Sequence, residues 1–234
     1  MKKKFIVSII CLLGLSISLG TTRNVSAVEL NSDSYTPEDI LTAQQEIQAT
    51  LNKYSSEKGN VVIFDSLKFD VDQTKIVTKE ELENEKQTVI NSLKEQVDST
   101  TVEVSKEEKS SGRIQTRDIA KDGSTYVAKV NCAIPAIGWG HINQDFSAKI
   151  SSSKVNQLSL LGGSYKSGIT LSAWTGIRSW TTISKNKKYI QVNMKGTLSY
   201  IFKGSNIDAV QTYLATGKTS GNSLVSAVYN EWPG

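Results

Sequence analysis

The sequence predicts an α+β protein in two parts: a small acidic helix-strand-strand-helix region, then an all-β antiparallel sandwich or barrel with one short helix. Three observations lead there. Apolar residues recur at spacings of three and four in two capped stretches of the first part, they alternate with period two from Tyr126 onward, and the sign of the charge reverses near Ser105.

Residues 1–27 read as a secretory signal peptide. Lys2, Lys3 and Lys4 precede an apolar run from Phe5 to Leu19, and Val25 and Ala27 stand where signal peptidase requires small residues. The run is about 15 residues, short of the roughly 20 that cross a bilayer, so the mature chain is expected to be secreted and extracellular. Cys11 leaves with this peptide. Cys132 then stands alone, no internal disulfide can form, and stability must come from packing. Lysine-led export and the lack of a disulfide together suggest a Gram-positive bacterial source.

The acidic region is expected over 28–104. Thr36-Pro37-Glu38-Asp39 supplies an N-cap, a proline at the first helical position and acids in the first turn. Ile40, Ala43, Ile47, Leu51 and Tyr54 continue as one apolar stripe, and Gly59 is the stop. Val61 to Phe64 and the alternating Leu67, Phe69 and Val71 read as two short strands joined at Asp65-Ser66. Thr78 with Glu81 forms a capping box that opens a second helix carrying Leu82, Val89, Leu93 and Val97. Residues 105–124 lose apolar periodicity and read as a linker, in which Arg113 and Arg117 are candidate processing points.

The basic domain is expected over 125–234. Tyr126, Ala128, Val130, Cys132 and Ile134 share one face of a strand, and Phe146, Ala148, Ile150 and then Ile169, Leu171, Ala173 repeat the pattern. Ile190 to Phe202 alternates at seven positions, with Gly196 where a long strand could bend or bulge. Gly162-Gly163, Lys185-Asn186 and Gly204-Ser205 punctuate the strands. Ser205 is expected to cap a short helix with Ile207, Val210 and Leu214 inward, before a last strand around Leu224 to Tyr229.

Removing Lys2, Lys3, Lys4 and Arg23 with the leader leaves 23 basic residues against 23 acidic ones. They are unevenly placed, with 16 acidic and 7 basic residues over 28–104 against 7 acidic and 16 basic from Ser105 onward. This asymmetry points to an intramolecular acidic-basic contact, the acidic part serving as a pro-region or partner. At about 0.15 M salt the screening length is about 8 Å, so such masking acts only in direct contact.

Candidate chemistry is sparse. Pro135 to Asp145, PAIGWGHINQD, holds His141, the only histidine. A Cys132–His141 or His141–Asp145 pair would make a secreted cell-wall hydrolase. Cys132 shares the parity of Val130 and Ile134, however, so its thiol is expected in the core, with His141 on a solvated turn. Asp70-Val71-Asp72 lacks the further oxygen ligand and glycine of a calcium loop, and one histidine with one cysteine makes no zinc site. Gly163 to Gly168 lacks the lysine of a phosphate loop. No metal, cofactor or nucleic acid is expected.

Trp139, Trp174, Trp180 and Trp232 all lie in the basic part, where they pack in the core or, beside Lys185, Lys187 and Lys188, meet an anionic envelope polymer, a glycan or a membrane surface. The sequence thus favours a secreted, non-enzymatic bacterial protein that binds such a surface, in an antibacterial or toxin-like role.

Overall fold

The computed structural model describes residues 33–59, 61–71, 78–106, 123–134, 138–168, 172–202 and 205–233. Ala27, Arg113 and Arg117 lie outside the described residues.

Two helices begin where their caps announce them. α1 (Pro37–Glu57) and α2 (Lys79–Ser99) each open on a complete capping box, Thr36 with Asp39 and Thr78 with Glu81. The stripe Ala43, Ile47 and Leu51 of α1 is buried, as are Leu82, Val89, Leu93 and Val97 of α2.

Between the helices runs β1 (Val62–Phe69), one strand where two were expected. Its ladder to a later strand shifts register between Phe64 and Ser66. Such a bulge adds one residue and inverts the alternation, so Val62 and Phe64 before it, and Leu67 and Phe69 after it, are all buried. In the sequence that inversion looks like a strand break.

The remaining strands are β2 (Thr101–Lys106), β3 (Ser124–Ile134), β4 (Gly138–Ser151), β5 (Lys154–Leu160), β6 (Tyr165–Ser167), β7 (Ala173–Ile183), β8 (Tyr189–Phe202), β9 (Ser205–Ser220) and β10 (Ser223–Ala227). They form two five-stranded antiparallel sheets, one ordered β1-β9-β8-β7 with β10 on β9, the other β2-β3-β4-β5 with β6 on β4. Neither sheet closes into a barrel. Apolar residues of both sheets and both helices share one buried cluster.

The expected helix after Ser205 is instead β9, which pairs with β8 along its length from Phe202↔Ser205 to Tyr189↔Lys218. Ile207, Ala209, Tyr213 and Ala215 alternate inward and are fully buried. The spacing of Ile207, Val210 and Leu214 fits a helix equally well, but a waiting strand edge decides in favour of the ladder for this Val-, Thr- and Tyr-containing segment. In β8, Gly196 stays in register, and the bulge lies opposite it, between Gly176 and Arg178 of β7. A side chain at Gly196 would meet the Trp174 indole at 2.4 Å, so this glycine admits the ring.

Residues 33–234 make one compact unit, and strand pairing crosses the boundary expected between 28–104 and the basic part. β1 pairs with β9 from Val62↔Tyr213 to Phe69↔Ile207, and β2 with β3 from Thr101↔Asn131 to Lys106↔Tyr126. β2 also runs to Lys106, into the expected linker. The acidic stretch is therefore built into the sheets.

The free side of β1 is sealed by α1. Gln48 Nε2 donates to the carbonyls of Phe64 and Asp65 at 3.1 and 2.8 Å, and Gln44 Nε2 to Phe69 O at 3.3 Å. Asn52 both donates to Phe64 O and accepts from Phe64 N, each at 2.8 Å. Ser55 Oγ donates to Val62 O. These four residues lie on one helix face and hydrogen-bond as a neighbouring strand would.

Asn52→Ala removes both bonds to Phe64 and is expected to lower the unfolding free energy by about 1–3 kcal/mol. The measurement is a urea titration, in which the midpoint falls at an unchanged m-value; a midpoint equal to wild type would mean that water replaces the amide. A chain nicked between residues 107 and 122 is expected to elute as one species in size-exclusion chromatography, since β1 and β2 remain paired after the cut. Separation of the pieces in native buffer would contradict that pairing.

Candidate functional site

Cys132 and His141 stand on neighbouring strands and point apart. Cys132 is paired with Gly140, and Asn131 with His141. Directly opposed residues share a sheet face and successive residues alternate, so the thiol faces the core and the imidazole faces outward. Cys132 is 4% exposed, with Sγ 3.7 Å from Gly140 O. Burial pushes the thiol up to about 11, against the opposing pull of the Tyr213 hydroxyl and Lys166. The Tyr213 hydroxyl itself donates to Gln211 Oε1 at 2.6 Å and accepts from Gln96 Nε2 at 2.9 Å, making a buried polar cluster at the level of Cys132.

His141 is half-buried, and desolvation followed by Lys129 lowers its pKa below the ordinary imidazole value. Asp145 shares its face four residues along β4, about 13 Å away at roughly 3.3 Å per residue. The Asp145 carboxylate accepts from the Tyr165 hydroxyl at 3.0 Å. Neither pairing of the hydrolase reading is brought within hydrogen-bond reach. The expected turn over Pro135 to Asp145 is likewise revised: β4 is under way from Gly138, paired with Ile134, and His141 sits on a sheet face. Residues 135–137 lie outside the described residues.

The four tryptophans go to different places. Trp139 projects at the start of β4 and is 60% exposed. Trp174 is half-buried, donates to Ser164 Oγ at 3.1 Å and packs against Tyr213 with ring centroids 5.8 Å apart. Trp180 is half-buried under the Arg178 guanidinium, 4.6 Å from the ring centroid. Trp232 is half-buried and caps the 3-10 turn Tyr229–Glu231. No common aromatic site results.

The lysines, by contrast, are gathered. Lys185, Lys187 and Lys188 occupy the exposed turn between β7 and β8, shaped by Asn186, whose Oδ1 accepts from Lys188 N at 2.9 Å and from Ser184 Oγ at 2.7 Å. Val155 N donates to Lys187 O at 2.8 Å, which fastens this turn to the β4–β5 turn with its exposed Lys154. Thr219 N donates to Lys188 O at 2.8 Å and Thr219 Oγ1 to Ser153 O at 2.9 Å, which adds the end of β9. Three segments distant in sequence thus form one rim bearing four exposed lysines. None of the four is ion-paired among the described residues, whereas the adjacent Lys218 is held by Glu231 at 2.9 Å.

Lys154 was missed because nothing in Ser151 to Lys154 shows that its turn meets another. A usable signal existed: no Asp or Glu stands between Asp145 and Asp208, so any turns meeting in that stretch carry uncompensated positive charge.

Comparison with protein-family models, with curated proteins and with solved structures finds no match. Among the described residues no helix is long and apolar enough to cross a membrane, and no cluster of His, Cys, Asp and Glu is placed to hold a metal ion.

A thiol titrating near 11 is ionised in roughly one molecule in a thousand at pH 8. Cys132 is expected to resist a thiol-specific disulfide reagent in the native protein and to react at once in denaturant. The raised pKa also has a stability sign: the contribution of the protonated thiol is intact below the reference 9.0 and is lost as pH rises toward 11. Cys132→Ala should flatten that part of the stability profile, measured by urea titration across the window.

Proposed function

We propose that this chain is an exported bacterial protein that binds an anionic polymer of the cell envelope through the lysine rim, without catalysing a reaction on it. The observation that carries the reading is the backbone bonding of three turns, Val155 to Lys187 and Thr219 to Lys188, which presents Lys154, Lys185, Lys187 and Lys188 together. Fixed turns hold the charges in place before binding, so little backbone ordering is lost on contact. Lysine ammonium groups are compact, strongly hydrated point charges suited to phosphate or carboxylate groups of a flexible chain.

The surroundings favour a hydrated polymer over a lipid bilayer. Ser151, Ser152, Ser153, Asn156 and Asn186 are the exposed neighbours of these lysines in the sequence turns, and Val155, the apolar residue among them, is buried. A surface that enters a bilayer interface needs such tips. Secretion and the anionic partner fit the lysine-led apolar leader and the scarcity of acids after Asp145.

Lys154, Lys185 and Lys188 changed together to Gln are expected to weaken retention on immobilised polyphosphate and on purified wall polymer, by on the order of 1 kcal/mol per lysine at low salt. Lys53, Lys68 and Lys106, exposed elsewhere, changed together to Gln remove the same charge and should leave retention nearly intact. Equal losses in the two variants would defeat the site, and preferential capture on anionic vesicles would transfer it to a membrane.

A further inference from the structure

The outward side of β2, β3, β4 and β6 has a chemistry unlike that of the rim. Strand alternation puts Trp139, His141, Asn143 and Asp145 of β4 on that side. The register sets Asn131 of β3 and Ser167 of β6 on either flank of His141. Thr101 of β2 lies beyond Asn131, and Glu103 lies opposite Lys129. The result is a polar sheet face with one projecting indole.

Lateral hydrogen bonds fix this face. Asn131 Nδ2 donates to Thr101 Oγ1 at 3.1 Å, Asn143 Nδ2 to Ser167 Oγ at 2.8 Å, and the Tyr165 hydroxyl to Asp145 at 3.0 Å. An amide that gives one N–H to a neighbour keeps a carbonyl oxygen and a second N–H, and a hydroxyl that accepts keeps its proton to donate. Thr101 and Ser167 are exposed and Asn131 half-buried, so this capacity is at the surface.

Trp139 is the one aromatic among the exposed large hydrophobic residues described, and at 60% exposure its ring is scarcely used by the core. Asn131, His141 and Ser167 begin two residues along the sheet from it, a polar neighbourhood that suits neither an apolar protein interface nor a bilayer tip. Charge is nearly balanced, with Lys129 opposite Glu103 and Asp145 engaged by Tyr165, so this face does not draw a polyanion.

The geometry points to a glycan site, in which one ring of a neutral oligosaccharide stacks on the Trp139 indole and hydroxyls of successive rings bond to Asn131, Thr101 and Ser167, which spread over three strand spacings of about 4.8 Å each. A pyranose matches such a face because its axial C–H side is apolar while its equatorial hydroxyls both donate and accept. From Trp139 to the turn after Ser151, β4 runs about 40 Å at roughly 3.4 Å per residue, so the glycan site and the lysine rim lie at opposite ends of one strand. The two sites are independent, and a glycan chain with anionic substituents could be held at both.

The test is isothermal titration calorimetry of the full mature chain with chitotetraose, cellotetraose and maltotetraose at high salt, where lysine contacts are screened. At least one oligosaccharide should bind saturably. Trp139→Ala should lower its affinity at least about tenfold, as loss of a central indole does elsewhere, with partial rescue in Trp139→Phe. Asn131→Ala should weaken it less, and the Lys154, Lys185, Lys188 triple variant should bind like wild type. Failure of all three sugars, or an affinity unchanged in Trp139→Ala, overturns the glycan site and leaves the rim untouched. Loss of neutral-vesicle binding in Trp139→Ala, with no sugar bound by wild type, would assign the face to lipid and overturn it equally.

Discussion

Everything in this structure depends on how β1 is held. An eight-residue strand, taken alone, presents unpaired carbonyls and amides on both sides. Here one side is laddered to β9 and the other is met by side-chain amides of α1, with Asn52 satisfying both the N–H and the C=O of Phe64. A helix thereby does the work of a strand and ends the sheet without leaving an adhesive edge. Because α1 is tied to β1, and β1 to β9, the helical part of the chain cannot be assigned a separate core.

That arrangement changes the meaning of the charge asymmetry. The acidic and basic stretches are joined by backbone pairing and by apolar side chains such as Val62, Phe64, Leu67 and Phe69, a union that salt does not screen. Charge contributes locally. Asp65, displaced outward by the bulge, accepts from Thr212 Oγ1 at 2.6 Å and meets Lys195 at 2.9 Å, pinning β1 to its neighbours. Charge pairs also run within the acidic stretch, as between Lys58 and Asp98 and between Lys86 and Glu46.

Both proposed surfaces follow from sheet geometry. Hairpin turns of the two sheets meet at one end and collect lysines there, whereas the flat outward face of the second sheet collects amides, hydroxyls and Trp139. The core takes no part in either: Cys132 is buried beside Tyr213, whose hydroxyl is bonded to Gln211 and Gln96, and Trp174 fills the space above Gly196. One strand, β4, links them, with its alternation setting which residues reach solvent and its length separating the two sites.

The sequence by itself determined the helices, because caps and stripes are local: Thr36, Thr78 and the apolar residues behind them act within a turn or two. It likewise determined the inward parity of Cys132 and of the β8 residues, since alternation is a property of one strand. Tertiary structure alone decided three things. The bulge at Asp65 hides the continuity of β1, because a shifted phase reads as a break until the partner β9 is seen. The stretch after Ser205 carries helix and strand periods together, and the open edge of β8 chose between them. The lysine rim and the polar face join residues far apart in the chain, and only register and turn-to-turn hydrogen bonds, which no local spacing encodes, bring them side by side.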